Sequence, residues 1–86
     1  MSCRIYVKFY GPNVSGNGVI PMCGSDSEMN MDRRHNLATM HRIARATIRQ
    51  RRTSSVVRTP VGYQIVRADD RFERNLTDVI EYNPGA

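Results

Sequence analysis

Residues 32–52 read DRRHNLATMHRIARATIRQRR, and this stretch decides the predicted fold. Its apolar side chains recur at the spacing of one helix face. They are Leu37, Met40, Ala44, Thr47 and Ile48, with Ile43 at the edge of that face. The opposite side carries His35, Ala38, Arg42, Arg45, Arg49 and Arg52. Asp32 has a side chain suited to capping, so we predict an amphipathic helix that begins near Arg33 and ends near Arg51 or Arg52.

A strand is predicted on the N-terminal side of this helix. In residues 5–10, IYVKFY, the side chains of Ile5, Val7 and Phe9 alternate with those of their neighbours, which is the period of a strand with one buried face. Residues 11–31 are rich in Gly, Pro, Ser and Asn. They predict a long loop with a short extended piece at GVIPM.

Two further elements are predicted after the helix. Residues 55–59 and 62–68 flank the turn signal TPVG and predict a β-hairpin. Beyond it, Asp70 and Glu73 have the spacing of a capping box. Apolar side chains continue at helical intervals, at Phe72, Leu76, Val79 and Ile80. These features predict a second helix over residues 71–81, and a short helix followed by a strand at DVIEY is the alternative, so the state of residues 76–82 stays open.

The fold class that follows is α+β, in one small domain spanning residues 1–86. The element order is β-α-β-β-α, with a final short strand as an option. The helices are expected to pack on one face of an antiparallel or mixed sheet.

Composition restricts the functional classes. The chain has 86 residues, so one modest core serves the whole domain. No apolar run reaches membrane-spanning length, and the N-terminal residues lack the pattern of a secretory signal. With two cysteines, Cys3 and Cys23, free thiols in the cytoplasm are the expectation, and a single disulfide or metal ligation by them is left open.

The charge is segregated along the chain. The basic residues are twelve Arg and one Lys. Residues 1–32 sum to −1, residues 33–67 carry nine Arg and no acid, and residues 68–86 sum to −3, which gives the net charge of +5. Arg suits phosphate and carboxylate recognition. The alternative explanation for the many arginines is codon usage, since a G+C-rich genome would give the same composition without any function.

The outer side of the predicted helix is the main candidate site. Its arginine row consists of Arg42, Arg45, Arg49 and Arg52, with Arg33, Arg34 and Arg58 as further candidates. Stacked like charges cost helix stability, and contacts with nucleic-acid phosphates or with an acidic protein surface are the usual gains. A plain solvated face, balanced by Asp69, Asp70 and Glu73, is the simplest alternative.

A second candidate surface is the outward face of the first strand. It alternates Tyr6, Lys8 and Tyr10, and with Tyr63 it suggests a surface on which bases stack. IYVKFY resembles the first-strand signature of the RNA-recognition motif, and VGYQIVRA is similar to the third-strand signature of that family. Val61 and Ile65 depart from the family pattern, and the loop before the first helix is longer. In that family the helices cover the other sheet face, so the arginine row would point away from the stacking surface. We assign no family from this resemblance.

Enzymatic and metal sites are not predicted. In YGPNVSGNG, Gly16 is followed by Asn17 rather than by the Lys of a phosphate-binding loop, so neither a nucleotide site nor any cofactor is expected. Cys3, Cys23, His35 and His41 include the ligand types of a zinc site but lack its spacing. A ribonuclease-like role for His35 or His41 beside the arginines stays a minor hypothesis.

The sequence therefore predicts a small basic, non-enzymatic binding module in the cytoplasm that contacts RNA or DNA. The alternative is an inhibitor or adaptor of the kind that phages encode, which would dock its arginine face on an acidic surface of a protein partner. No membrane partner is expected. Apolar side chains of the 11–31 segment leave a homodimer open. The identity of the partner does not follow from the sequence.

Overall fold

The centre of the fold is an antiparallel pair of long strands. The computed structural model describes residues 3–54 and 58–83. Strand β1 (Cys3–Pro12) pairs with strand β4 (Gly62–Asp69) along most of its length. The alternation that predicted the first strand is therefore confirmed, but its main partner lies far away in the sequence.

Short strands flank this pair on both sides. Strands β2 (Val19–Pro21) and β3 (Glu28–Met31) both pair antiparallel with β1. Strands β5 (Glu73–Asn75) and β6 (Ile80–Glu81) both pair antiparallel with β4. The result is a curled six-stranded antiparallel sheet in which each outer edge is built from two short strands.

Local insertions interrupt the two edges without breaking the hydrogen-bond ladder. At β1, the Phe9 amide donates to the Ser27 carbonyl (2.9 Å), and the Met22 amide donates to the Phe9 carbonyl (3.1 Å). The residues between Met22 and Ser27 loop out from this point. At β4, the Ile65 amide donates to the Thr77 hydroxyl (3.2 Å), so a side chain replaces the missing backbone acceptor.

Helix α1 (Leu37–Arg52) connects β3 to β4. Its N-cap is Asn36, whose side-chain oxygen accepts a hydrogen bond from the Thr39 amide (2.8 Å). The Asp32 side chain does not cap the helix but accepts a hydrogen bond from the Arg34 amide (2.9 Å) in the turn before it. The predicted cap at Asp32 was therefore wrong, whereas the predicted end near Arg52 is confirmed.

The main core lies between the helix and one face of the sheet. The helix contributes Met40, Ala44 and Ile48, and the sheet contributes Val7, Phe9, Met31, Tyr63 and Ile65. The predicted core side of the helix is thus largely confirmed. Leu37 is the exception, because it is 44% exposed at the first turn.

The opposite face of the central strands is also buried. It consists of Tyr6, Tyr10, Gln64 and Val66. The Arg4 guanidinium lies over the Tyr6 ring (4.1 Å), and the Lys8 ammonium lies 5.9 Å from the centre of the Tyr10 ring. The Tyr10 hydroxyl donates to the Gln64 amide oxygen (2.9 Å). Long cationic side chains therefore cover apolar surface that no helix of the described residues covers.

The predicted β-α-β-β-α fold was wrong. The described residues form mainly strands with a single helix, and the range 71–81 contains β5 and β6 in place of a second helix. Asp69, rather than Asp70, accepts hydrogen bonds from the amides of Arg71 and Phe72 (2.8 and 3.1 Å). This closes a turn between β4 and β5, because short Asp side chains compete with helix formation.

Two other predicted features also differ from the structure. Residues 62–69 pair with β1 on one edge and with β5 and β6 on the other. Of the predicted partner strand 55–59, residues 55–57 lie outside the described residues, and Arg58 and Thr59 belong to no strand. The range 11–31 is not one loop, since it contains the end of β1 and all of β2 and β3. The extended piece predicted at GVIPM corresponds to β2. Among the described residues, no helix has the length and apolar character needed to cross a bilayer.

Candidate functional site

The arginine row lies along one exposed flank of helix α1. Arg42, Arg45, Arg49 and Arg52 are all exposed, and the helix contains no acidic residue. At about 1.5 Å per residue the row extends over roughly 15 Å. It ends in the last helical turn, where the helix dipole favours cations.

Two tyrosines from the sheet side hold the middle of the row. The Tyr63 hydroxyl accepts a hydrogen bond from Arg45 Nε (3.1 Å), and the Tyr82 hydroxyl accepts one from Arg49 Nη1 (2.7 Å). The Arg45 guanidinium also lies 5.7 Å from the centre of the Tyr82 ring. Neutral partners orient these two guanidinium groups but leave their charge uncompensated.

No member of the row forms an ion pair with the described residues. The ion pairs of this part of the chain join Arg4 to Glu28, Arg34 to Asp32, and Arg58 to Asp26. Arg42 has only a long hydrogen bond to the Thr39 hydroxyl (3.4 Å). The row is therefore a concentrated positive surface without a local counter-charge.

Two of the three acids expected to balance the row have other partners. Asp69 caps the turn between β4 and β5, and its pKa is lowered mainly by the hydrogen bonds from the Arg71 and Phe72 amides. Glu73 accepts a hydrogen bond from the Tyr6 hydroxyl (2.8 Å). Since Tyr6 faces away from the helix, this contact places Glu73 on the other side of the sheet.

The remaining predicted arginine sites belong to separate contacts. Arg34 is paired with Asp32 and lies before the helix. Arg58 is paired with Asp26 (3.1 Å) and also donates to the Cys23 carbonyl. These ion pairs neutralise both cations, so neither strengthens the field of the row.

Arg51 has a structural role, although it belongs to the same helix. Its Nη1 donates to the Asp26 carbonyl (2.7 Å), and its guanidinium lies 4.4 Å from the centre of the Phe9 ring. Burial lowers the pKa of Arg51, and the charge of Asp26 acts in the opposite direction. Arg51 therefore ties the end of the helix to the loop between β2 and β3.

His41 lies beside the row but adds little charge to it. Its Nδ1 is 2.7 Å from the Tyr63 hydroxyl. Burial, and then the neighbouring Arg45, lower the pKa of His41, so its imidazole is neutral at pH 7. His35 is exposed in the turn before the helix. Apart from the Tyr63 hydroxyl, which belongs to a side chain without exposed surface, no hydroxyl or thiol of the described residues is hydrogen-bonded to either imidazole.

The four residues of the predicted stacking surface do not share one face. Tyr6, Lys8 and Tyr10 face away from the helix, whereas Tyr63 lies on the helix side with no exposed surface. Tyr6 and Tyr10 are 2% and 8% exposed. In this arrangement their rings are covered, so they do not form an open surface for bases.

Tyr6 is instead part of a buried polar contact. Burial, the hydrogen bond to Glu73, and the charge of Glu73 raise the pKa of Tyr6 to about 12. The phenol is therefore neutral at physiological pH and acts as a hydrogen-bond donor between β1 and β5.

Sequence reasoning missed Tyr82 as a contributor to the row. The sequence predicted a helix or an unassigned strand around this residue, so its position under Arg49 could not be inferred. The helical spacing of the arginines was visible, but their tyrosine partners depend on how β4 and β6 pair.

No group of three or more His, Cys, Asp or Glu side chains in residues 3–54 and 58–83 is arranged to hold a metal ion. Cys3 and Cys23 are free thiols. Comparison with family models, with curated proteins and with solved structures gives no match to this chain. Function is therefore inferred from the geometry of the described residues.

Proposed function

We propose that the protein is a small, non-enzymatic nucleic-acid-binding module that contacts phosphates through the arginine row. The observation that carries the proposal is the absence of any ion pair between the row and the described residues. Four like charges on one helix flank are unfavourable in the free protein. Phosphate binding relieves this repulsion and releases counterions from the nucleic acid.

The dimensions of the row support phosphate contacts. A row of roughly 15 Å is long enough to contact several successive phosphates of one DNA strand, which rises ~3.4 Å per nucleotide along the duplex axis. Arg45 and Arg49 each use one donor on a tyrosine hydroxyl, and the other guanidinium donors remain for a ligand. Fixing the side chains beforehand lowers the entropy lost on binding.

The test is fluorescence anisotropy with labelled single-stranded RNA, single-stranded DNA and duplex DNA. The variant Arg42→Gln/Arg52→Gln changes the two ends of the row, which have no partner on the sheet among the described residues. It lowers the net charge from +5 by two units to +3. We expect at least a ten-fold weaker affinity for the preferred polymer, since two charge-assisted contacts are lost.

The matched control is Arg4→Gln/Lys8→Gln. It gives the same net charge of +3 but acts on the sheet face opposite the helix. We expect it to bind almost as well as the unmodified protein. Equal losses in both variants would show a nonspecific charge effect. No binding of any polymer at low salt would contradict the proposal and would favour an acidic protein partner.

A further inference from the structure

A second cationic surface lies at the hairpin between β4 and β5. It is a shallow pocket of about 260 Å³, lined by Arg67, Asp69, Phe72 and Arg74. We call it the Phe72 pocket. Two Arg and one Asp give its lining a net charge of +1.

The two arginines of the pocket are direct cross-strand partners. Arg67 of β4 lies opposite Arg74 of β5, and like charges in this position destabilise a sheet. Neither forms an ion pair with the described residues. Arg67 Nε donates to the Cys3 sulfur (3.2 Å), which orients its guanidinium. The Asp69 carboxylate interacts with Arg67, whose charge contributes to the lowered pKa of Asp69, but the lining keeps a net positive charge. An anion between the two arginines would relieve the repulsion that remains.

Phe72 is held at the tip of the hairpin with its side chain in solvent. It is 63% exposed, the largest exposure of an aromatic side chain among the described large hydrophobic residues. The Phe72 carbonyl accepts a hydrogen bond from the Asp69 amide (3.1 Å), and Asp69 Oδ1 accepts one from the Phe72 amide. The backbone at Phe72 is thus fixed, so the exposed aromatic side chain projects from a defined point at the tip of the hairpin.

The pocket lies on the same sheet face as the arginine row. Side chains alternate along β4, so Tyr63, Ile65 and Arg67 all point towards the helix side. Tyr63 contacts Arg45 of the row. Arg67 lies four residues further along the strand, which is about 13 Å. A strand of four or five nucleotides can bridge this distance at ~3.4 Å per nucleotide.

We propose that the Phe72 pocket binds one nucleotide of single-stranded nucleic acid, with the base stacked on Phe72 and its phosphate between Arg67 and Arg74. This inference rests on the proposed function and adds a preference for single strands. Aromatic rings bind unpaired bases by stacking, which a duplex does not offer.

The experiment compares three probes of equal length: single-stranded DNA, the same backbone with abasic sugars, and duplex DNA. Phe72→Leu keeps an apolar side chain but removes the aromatic ring. We expect it to weaken binding of the single-stranded DNA about five-fold or more. Binding of the abasic strand and of the duplex should change less than two-fold. Arg74→Gln should weaken the normal and the abasic strand alike, because it removes a phosphate contact.

Phe72→Trp provides an independent readout. The chain contains no Trp, so the variant has a single indole reporter at the pocket. We expect it to keep the affinity for single-stranded DNA and to lose fluorescence when the strand binds, whereas the abasic strand should cause no such loss. Circular dichroism of Phe72→Leu checks that the substitution at this exposed position leaves the fold intact.

The outcomes separate the two proposals. If single-stranded DNA binds with full affinity to Phe72→Leu, the pocket inference is wrong and the proposed function stands. An equal loss for the normal and abasic strands would also overturn the stacking contact. If neither these probes nor single-stranded RNA of the same length binds the unmodified protein, both proposals are wrong.

Discussion

Alkaline pH should destabilise the protein through one phenol, that of Tyr6. Tyr6 is 2% exposed and donates to Glu73. Its pKa is about 12 in the folded protein, against 10.0 for the free side chain. Between these two pH values the folded state holds the proton that the unfolded state has lost. The stabilising contribution is therefore complete below pH ~10 and is lost as the pH rises towards ~12.

The size of this effect follows from the difference in pKa. A difference of about two units is worth about 2.7 kcal/mol when the loss is complete. At pH ~11.5, about 2 kcal/mol of this stabilising contribution should already be lost. Tyr6→Phe has no phenol at this position, so its free energy of unfolding lacks the pH-dependent contribution of Tyr6.

Urea unfolding of the unmodified protein and of Tyr6→Phe, at pH ~9 and at pH ~11.5, measures the effect. We expect the advantage of the unmodified protein to fall by about 2 kcal/mol over this range. Glu73→Gln serves as the control, because it removes the carboxylate that helps to raise the pKa of Tyr6. Between pH ~9 and pH ~11.5, the unfolding free energy of this variant should therefore fall by less than that of the unmodified protein. An advantage that stays constant with pH would refute the assignment of the Tyr6 contact.

The remaining predictions concern the helix and the row. Asn36→Ala should cost about 1 kcal/mol of unfolding free energy, and Asp32→Ala less than half of that; the reverse order would place the N-cap at Asp32. Ile48→Ala should lower the free energy of unfolding by about 2–5 kcal/mol, because Ile48 has no exposed surface. Gln50→Ala, at an exposed position of the same helix, should change it by no more than about 0.5 kcal/mol. Equal effects of the two substitutions in thermal unfolding would contradict the assignment of the buried face. Tyr82→Phe removes the hydroxyl that orients Arg49, so anisotropy should show about two- to five-fold weaker binding of nucleic acid at an unchanged Tm; full affinity would mean that this hydrogen bond does not position the row.

The helix was predictable because its signal is local. The spacing of Met40, Ala44 and Ile48 defines a buried face within four turns, and the arginine row follows from the same periodicity. The capping residue was predicted wrongly at Asp32, whereas Asn36, whose side chain suits the same role, caps the helix. Only the turn made by Asp32 with Arg34 shows why the helix starts later.

The second predicted helix shows where local pattern fails. Phe72 and Leu76 have helical spacing, but the Asp69 side chain closes a turn and residues 73–75 gain ladder hydrogen bonds with β4. The β4–β5 hairpin is local, but β4 is itself held in the sheet by β1, which is distant from it in sequence. For the same reason the sequence did not reveal that Tyr63 and Tyr82 lie under the row.

The salt dependence of binding tests the central claim most directly. The affinities of the unmodified protein and of Arg42→Gln/Arg52→Gln for the single strand that binds more tightly, RNA or DNA, are measured over a range of salt concentrations. Each phosphate contact contributes about 0.7 to the slope of log affinity against log salt for a single strand. We expect the variant slope to be shallower by about 1.4, because two contacts are lost. An unchanged slope would contradict the claim that the arginine row binds phosphates.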